Sequence, residues 1–265
     1  MIHFSVADGR ADIRLDNPKR MNALSQKSWG ELLRAIRSLH KRRDVAALCL
    51  RGEGDLAFCA GGDITEYAAL AEDAPRAAAY HDLYREVFAN IRALPFATMA
   101  AIPGHCLGAG LALAACCDFR IGSPKASFGI TAVRRGLVYP VTEAADLLHI
   151  AGLPALRAMI LRGEKLGAKA ALRVGLLDDV VPLRRLDARV DALAADCIAA
   201  AGPAYAKAKA VLLAAQQLPR ESRQLRQLLL GAFDSTEFRS GTRNFLGDKP
   251  TSKKHTSPRS RRSTA

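Results

Sequence analysis

The hydrophobic pattern opens with two short runs, "IHFSV" and "ADIRLD", separated by the Asp-Gly of "ADGR". Two strands joined by a tight turn are predicted, because Asp-Gly tolerates the positive φ angles that a two-residue hairpin requires. A helical period follows. Trp29, Leu32, Leu33, Ile36 and Leu39 fall on one face, and Ser25 stands where a side-chain oxygen can cap the first turn. "VAALCLRG" and "ATMAAIPG" are continuous apolar runs of strand length, the pattern of strands covered on both faces. Between them, Asp73 to Leu94 reads as a helix. Tyr80, Leu83, Tyr84, Val87, Phe88 and Ile91 form its buried stripe, and Pro95 lies just past its end. A helix of small residues, "GAGLALAACC", and a strand, "DFRIGS", continue the alternation to about residue 130. Alternating strand and helix signals predict an α/β core with mostly parallel pairing. From about Thr142 the pattern turns almost entirely helical. Leu186, Val190, Leu193, Cys197 and Ile198 share one face, and Leu225, Leu228 and Leu229 share another. The expected organisation is a core over residues 1–190, a helical region over 191–248 and a basic tail over 249–265.

Composition narrows this picture. At 265 residues the chain can bury a sizeable core, and 49% hydrophobic beside 25% charged residues is the balance of a globular protein. No run of apolar letters approaches the roughly 18 residues of a membrane span, so no membrane attachment is expected. The start "MIHFSVADGR" has neither a basic n-region nor a cleavable apolar segment, which points to a cytoplasmic chain. The six cysteines form no C-x-x-C pair and sit among apolar or small residues. Reduced, buried thiols are expected, with no metal site and no disulfide framework. The net charge of +13 must be located before it means anything. The final stretch "KPTSKKHTSPRSRRSTA" holds six Lys or Arg and no acid. Rich in Ser and Thr, it is expected to be disordered, either a solvated tail or a weak electrostatic attachment to RNA or another polyanion. The remaining positive charge fits an anionic ligand equally well.

Two turns carry the candidate chemistry. In "AFCAGGDITEY", residues 57–67, a strand ends at Phe58, Ala60, Gly61 and Gly62 bring bare backbone to the surface, and Asp63 can cap a helix starting near Ile64. In "AIPGHCLGAGLALAACCD", residues 101–118, Gly108, Ala109 and Gly110 open a helix of tiny residues after a strand end. Free N–H groups at a helix start, backed by the helix dipole, favour negative charge. Two such turns facing each other can hold one oxygen between two N–H donors, an oxyanion hole.

The order and spacing of "NPKRMNALS", "FCAGGD" and "PGHCLGAGLALAACCD" resemble the crotonase superfamily, the enoyl-CoA hydratase/isomerase family. The likeness continues through "FGITAVRRGL", "LRGEKLGAKAALRVGLLDDVVP" and "STEFRSGTRNFLGDKP", and so covers most of the chain. The resemblance implies an α/β spiral of ββα units with a helical C-terminal region used for trimerisation, as a homotrimer or a dimer of trimers. It implies an acyl-CoA thioester as ligand, with coenzyme A part of the substrate and no separate cofactor. The oxyanion donors would be the backbone N–H groups of Gly62 and Ala109. Ala109 stands where many relatives have glycine, and an N–H survives that change. Lys19 and Arg20 match basic positions that approach the CoA phosphates. Ala60 and Ile64 would lie along the adenine and pantetheine path. Phe245 and Lys249 match C-terminal positions that reach CoA.

The resemblance also marks where acids are missing. Hydration in this family uses two glutamates, and their positions here read Ala112 and Ala132. An aspartate used by some isomerases and dehalogenases falls at Pro140. The stretch "FGITAVRRGLVYPVTE" therefore holds no carboxylate before Glu143, which would lie one turn into a helix starting at Pro140. Tyr139 falls where methylmalonyl-CoA decarboxylases of the family carry a tyrosine, although those enzymes have a histidine at the position of Gly62. Three readings stay open: an acyl-CoA enzyme of the hydratase/isomerase type with an atypical acid, a decarboxylase or double-bond isomerase using Tyr139 or Glu143, and a non-catalytic CoA- or RNA-binding relative. Arg134 and Arg135 can bind an acidic acyl group or form a surface face. Glu66 can swing toward the first turn or face solvent, and His105 precedes the second turn.

Overall fold

The hairpin is β1 (Ile2–Ala7) paired antiparallel with β2 (Arg10–Leu15), its turn made by Asp8 and Gly9 at φ of 50° and 77°. A computed structural model of the chain describes residues 1–66, 73–135 and 138–217, all within one packed unit. Leu225, Leu228, Leu229, Phe245, Lys249 and the basic tail lie outside the described residues, and the region 191–248 is described only as far as residue 217.

From β2 onward each neighbour in the main sheet is parallel: β3 (Ala47–Gly52), β5 (Ala97–Ile102), β7 (Phe119–Gly122) and β10 (Asp179–Val180), in the order β1-β2-β3-β5-β7-β10. A second sheet takes a short strand after each of β3, β5 and β7. These are β4 (Ala57–Cys59), β6 (His105–Leu107) and β8 (Ser127–Gly129), and β9 (Lys165–Gly167) pairs antiparallel with β8. Helices α2 (Ala74–Arg92), α3 (Ala109–Ala115) and α4 (Val141–Arg162) follow β4, β6 and β8 in turn. The chain thus winds as three ββα turns, each adding one strand to each sheet. This is the expected spiral, and its pairing is mostly parallel.

Both faces of β3 and β5 are covered, as their unbroken apolar runs predict, whereas the edge strand β1 is largely exposed. Side chains alternate across a strand. Leu48, Leu50, Ala100 and Ile102 face one core, shared with Trp29, Leu32 and Ile36 of α1 (Gln26–Leu39) and Val87, Phe88 and Ile91 of α2. Ala47, Cys49, Ala97, Met99 and Ala101 face the other, beneath Leu186, Val190, Ala194 and Cys197 of a helix at Leu186–Ala199. Ser25 caps α1 by accepting from the Ser28 N–H at 3.2 Å. Trp29 packs on Tyr84 and Phe88 with ring centroids 5.8 and 5.7 Å apart, which fixes the face of α2 that borders the site.

Two features depart from the sequence reading. The region after Thr142 is not wholly helical, since β9 and β10 lie within it. They escape a periodicity reading because they are only three and two residues long. By length and composition α4 could cross a membrane, since it has 22 residues and an 18-residue stretch within it has a mean hydropathy of 1.4. Scattered Thr, Glu, Asp and His letters hid this from a search for unbroken runs. The helix is bent at Gly152, ahead of Pro154, and its first two turns carry Glu143, which is buried, and Asp146, which pairs with Arg92.

Candidate functional site

The spiral brings the two glycine turns into contact. Gly61 has φ of +105°, and a Cβ there would lie 3.2 Å from Ala109 N and 3.1 Å from Leu107 O. At Gly110 the approach is tighter still, since a Cβ would fall 2.3 Å from Cys59 O. Only glycine permits that spacing, so the turn after β4 lies directly against the start of α3.

The backbone groups at this contact are oriented by the local ladder. Leu24 bridges Gly62 in parallel, its N–H donating to Gly61 O at 2.8 Å and its carbonyl accepting from Asp63 N at 2.9 Å. That pattern turns the Gly62 N–H away from Leu24. Ala109 is the first residue of α3, so its N–H has no carbonyl within the helix to bond.

Both turns line one cavity of about 750 Å³. Gly62, Ala109, Ala60, Ile64, Arg20, Tyr139 and Glu143, all singled out in the sequence, border it. So do Ala112, Ala132 and Pro140, the positions where the resemblance calls for acids. Lys19 is exposed and does not border it, and Phe245 and Lys249 lie outside the described residues. At the mouth, Arg20 holds Asp63 through both carboxylate oxygens at 2.7 and 2.9 Å and also reaches Thr65 at 3.0 Å. One Arg20 nitrogen makes all three contacts, which leaves the rest of its donor fork for another anion.

Glu143 sits in the first turn of α4 and is 2% exposed. Its Oε2 accepts from the Thr142 hydroxyl at 2.6 Å, while its Oε1 is buried with no partner among the described residues. Burial in a first-turn position is unusual for an acid that serves only the helix dipole, which acts as well from the surface. Tyr139 stands beside it. Its hydroxyl donates to Gly108 O at 3.5 Å, the long end of the hydrogen-bond range. Burial, and then the Glu143 carboxylate, push this hydroxyl well above the ordinary tyrosine range, so at neutral pH it is a donor and not a base.

Other sequence candidates fall elsewhere. Glu66 turns away from the cavity, its Oε2 accepting from the Gln26 N–H of α1 at 2.7 Å. Arg134 donates to Arg162 O at 3.2 Å, a carbonyl at the C-terminal end of α4, and does not border the cavity. His105 shares a hydrogen bond of 2.7 Å with Ser127 across β6 and β8. The six cysteines are free and buried, and no cluster suited to a metal occurs among the described residues. Sequence reasoning missed His81 as a wall residue. With Tyr84 and Phe88 it makes a stripe of α2 along the cavity, and its ring meets Tyr84 edge-on at 5.0 Å. The i, i+3, i+7 spacing of these three residues was the available signal.

The enoyl-CoA hydratase/isomerase family model matches residues 6–253. A probable enoyl-CoA hydratase of Mycobacterium avium is 34% identical over 226 residues, covering 82% of this chain and 85% of the relative. Among solved structures, an enoyl-CoA hydratase/carnithine racemase of Magnetospirillum magneticum superposes with a TM-score of 0.85 at 31% identity, covering 94% of this chain and 93% of that one. An enoyl-CoA hydratase of Bacillus anthracis superposes with a TM-score of 0.83 at 26% identity, covering 94% and 96%. The ββα spiral, the paired glycine turns and these matches agree: the chain belongs to the enoyl-CoA hydratase/isomerase family.

Proposed function

We propose that the chain isomerises the double bond of β,γ-enoyl-CoA thioesters, with Glu143 as its single acid and base. The observation that carries this reading is the buried Glu143 carboxylate, one oxygen unpaired, on a cavity where Ala112, Ala132 and Pro140 are apolar. Hydration must deliver water to Cβ and a proton to Cα, work that usually needs two groups. A 1,3-proton shift needs one.

In this reading the thioester oxygen lies between the Gly62 and Ala109 N–H groups. Glu143 takes a proton from Cα. The electron pair of that bond conjugates with the β,γ double bond and the thioester, and the oxygen becomes an enolate oxyanion held by the two donors. Glu143, now a carboxylic acid, returns a proton to Cγ, and the double bond moves to the α,β position. Tyr139 stays protonated and forms the wall. Arg20, with Lys19 nearby, faces the CoA phosphates, and Ala60 and Ile64 flank the pantetheine. Coenzyme A enters as part of the substrate, and the reaction asks for no further cofactor.

The test is a panel of CoA esters with the wild type and Glu143→Gln. Conversion of a β,γ-enoyl-CoA to its α,β isomer is expected, with kcat lowered roughly 10²–10⁴-fold in the variant. Equal turnover by Glu143→Gln would refute the assignment. Loss of carbon dioxide from malonyl-type esters alone would transfer the chemistry to Tyr139. No turnover of any CoA ester, with polyanion binding lost on deletion of the tail, would make the chain a binding protein.

A further inference from the structure

Glu143 has a second side. It and Phe88 form the wall shared by the main cavity and a separate cleft of about 320 Å³. That cleft runs between α2 and the start of α4 and is otherwise polar, bordered by Asp82, Arg85, Glu86, Arg92 and Thr142, with Ala89 on its α2 side. Two buried polar atoms near this wall have no partner among the described residues, Oε1 of Glu143 and Nε of Arg92. One is an acceptor and the other a donor. Arg92 is held charged: burial opposes its charge, but Cys116, then the Asp146 carboxylate it pairs with, and last Glu143 keep its pKa above the ordinary value. Buried polar groups left without protein partners are characteristically satisfied by ordered water, and a site with several polar walls is the kind that holds it.

We infer that this cleft is a solvent port for Glu143, in which water bridges Glu143 Oε1 and Arg92 Nε and exchanges the catalytic proton with bulk solvent. The inference rests on Glu143 being the acid and base. An acyl-CoA filling the main cavity would shut Glu143 off from water on that side. The cleft reaches the same carboxylate through its other face. After Glu143 takes the Cα proton, the carboxylic acid passes it to a cleft water, and that water returns another. The proton delivered to Cγ is then a solvent proton. Without the port, the proton from Cα would go to Cγ directly.

The test runs the isomerisation of a β,γ-enoyl-CoA in heavy water and reads deuterium at Cγ of the product by mass spectrometry. The variant Ala89→Leu fills the cleft from its outer side and leaves the cavity lining unchanged. Wild-type product should carry solvent deuterium at Cγ, and Ala89→Leu should more than double the fraction that retains the substrate's own proton. An unchanged fraction in Ala89→Leu, or wild-type product without solvent deuterium, would overturn the port and leave the role of Glu143 standing. Undiminished turnover by Glu143→Gln would overturn that role and the port with it. A crystal structure with a non-reactive thioether of CoA tests the port without turnover. An ordered water within hydrogen-bonding reach of both Glu143 Oε1 and Arg92 Nε is expected, and a dry cleft would overturn the inference.

Discussion

Replacing Gly110 with alanine should damage activity as well as folding. The new Cβ would lie 2.3 Å from Cys59 O and 2.8 Å from Cys59 Cβ, against an ordinary contact of 3.4 Å or more. The nearer obstacle is backbone, so no side chain can turn aside. The start of α3 and the end of β4 must part by about 1 Å, an overpacking that typically costs 1–3 kcal/mol. Melting temperature should fall by several degrees. The same displacement separates the Ala109 N–H from the Gly62 N–H. A misplacement of about 1 Å at a catalytic group costs on the order of 10²-fold, and losing an oxyanion donor outright costs about 2.7–4 kcal/mol. The assay pairs thermal unfolding by circular dichroism with kcat on a β,γ-enoyl-CoA. Gly30→Ala is the control. Its Cβ meets only the flexible Arg34 side chain, at 3.7 Å inside α1, and it should stabilise by roughly 0.5–1 kcal/mol without changing kcat. A Gly110→Ala enzyme with kcat within twofold of wild type would refute the claim that this contact sets the donors.

Lys209 is buried and donates to Phe96 O at 2.9 Å and to Asp118 Oδ2 at 2.7 Å, fastening the helix Pro203–Gln217 to the main sheet. Lys209→Met should lower stability in urea by about 1.5–3 kcal/mol, and a loss no larger than that of the exposed Lys169→Met would contradict this. Burial pushes the thiols of Cys49 and Cys59 up to about 12. Unfolded thiols ionise near about 8.5, so the folded chain binds more protons above that pH. The stability these thiols contribute is complete below about pH 8.5 and is lost as pH rises toward about 12. Denaturation midpoints measured across that range should fall. Maleimide labelling of these two thiols at neutral pH should require unfolding, and rapid labelling of the native chain would contradict their burial.

Much of the fold was legible because its signals are long. The Asp8-Gly9 turn, the stripe of α1 and the unbroken runs of β3 and β5 all appear as the periodicity predicts. The second sheet was legible only in pieces, as a strand ending at Phe58 and the "SFG" strand, and not as a sheet. β4, β6, β8 and β9 are three residues each, too short to show a period, and the ββα repeat is carried by geometry more than by matching letters. Both glycine turns could be read as sites of bare backbone, but their contact depends on Gly61 lying against Leu107 and Ala109 and on Gly110 lying against Cys59, residues distant in sequence. The position of Glu143 near the cavity followed from a helix starting at Pro140. Its burial did not, because a first-turn acid looks the same in sequence whether it faces solvent or a pocket. Glu66 shows the reverse. It follows the first turn closely, yet the N–H of Gln26 takes its carboxylate away from the site. Nothing in "AYAKAKAV" marks Lys209 as buried, and the Phe96 carbonyl and Asp118, both far away in sequence, make its burial tolerable.

The proposed chemistry depends on where the thioester sits. A crystal structure with a non-reactive acyl-CoA thioester analogue measures this directly. It should place the thioester oxygen about 2.7–3.1 Å from the backbone nitrogens of both Gly62 and Ala109, with a Glu143 oxygen facing Cα. An analogue bound with its thioester oxygen away from both nitrogens, or with Cα out of reach of Glu143, would contradict it.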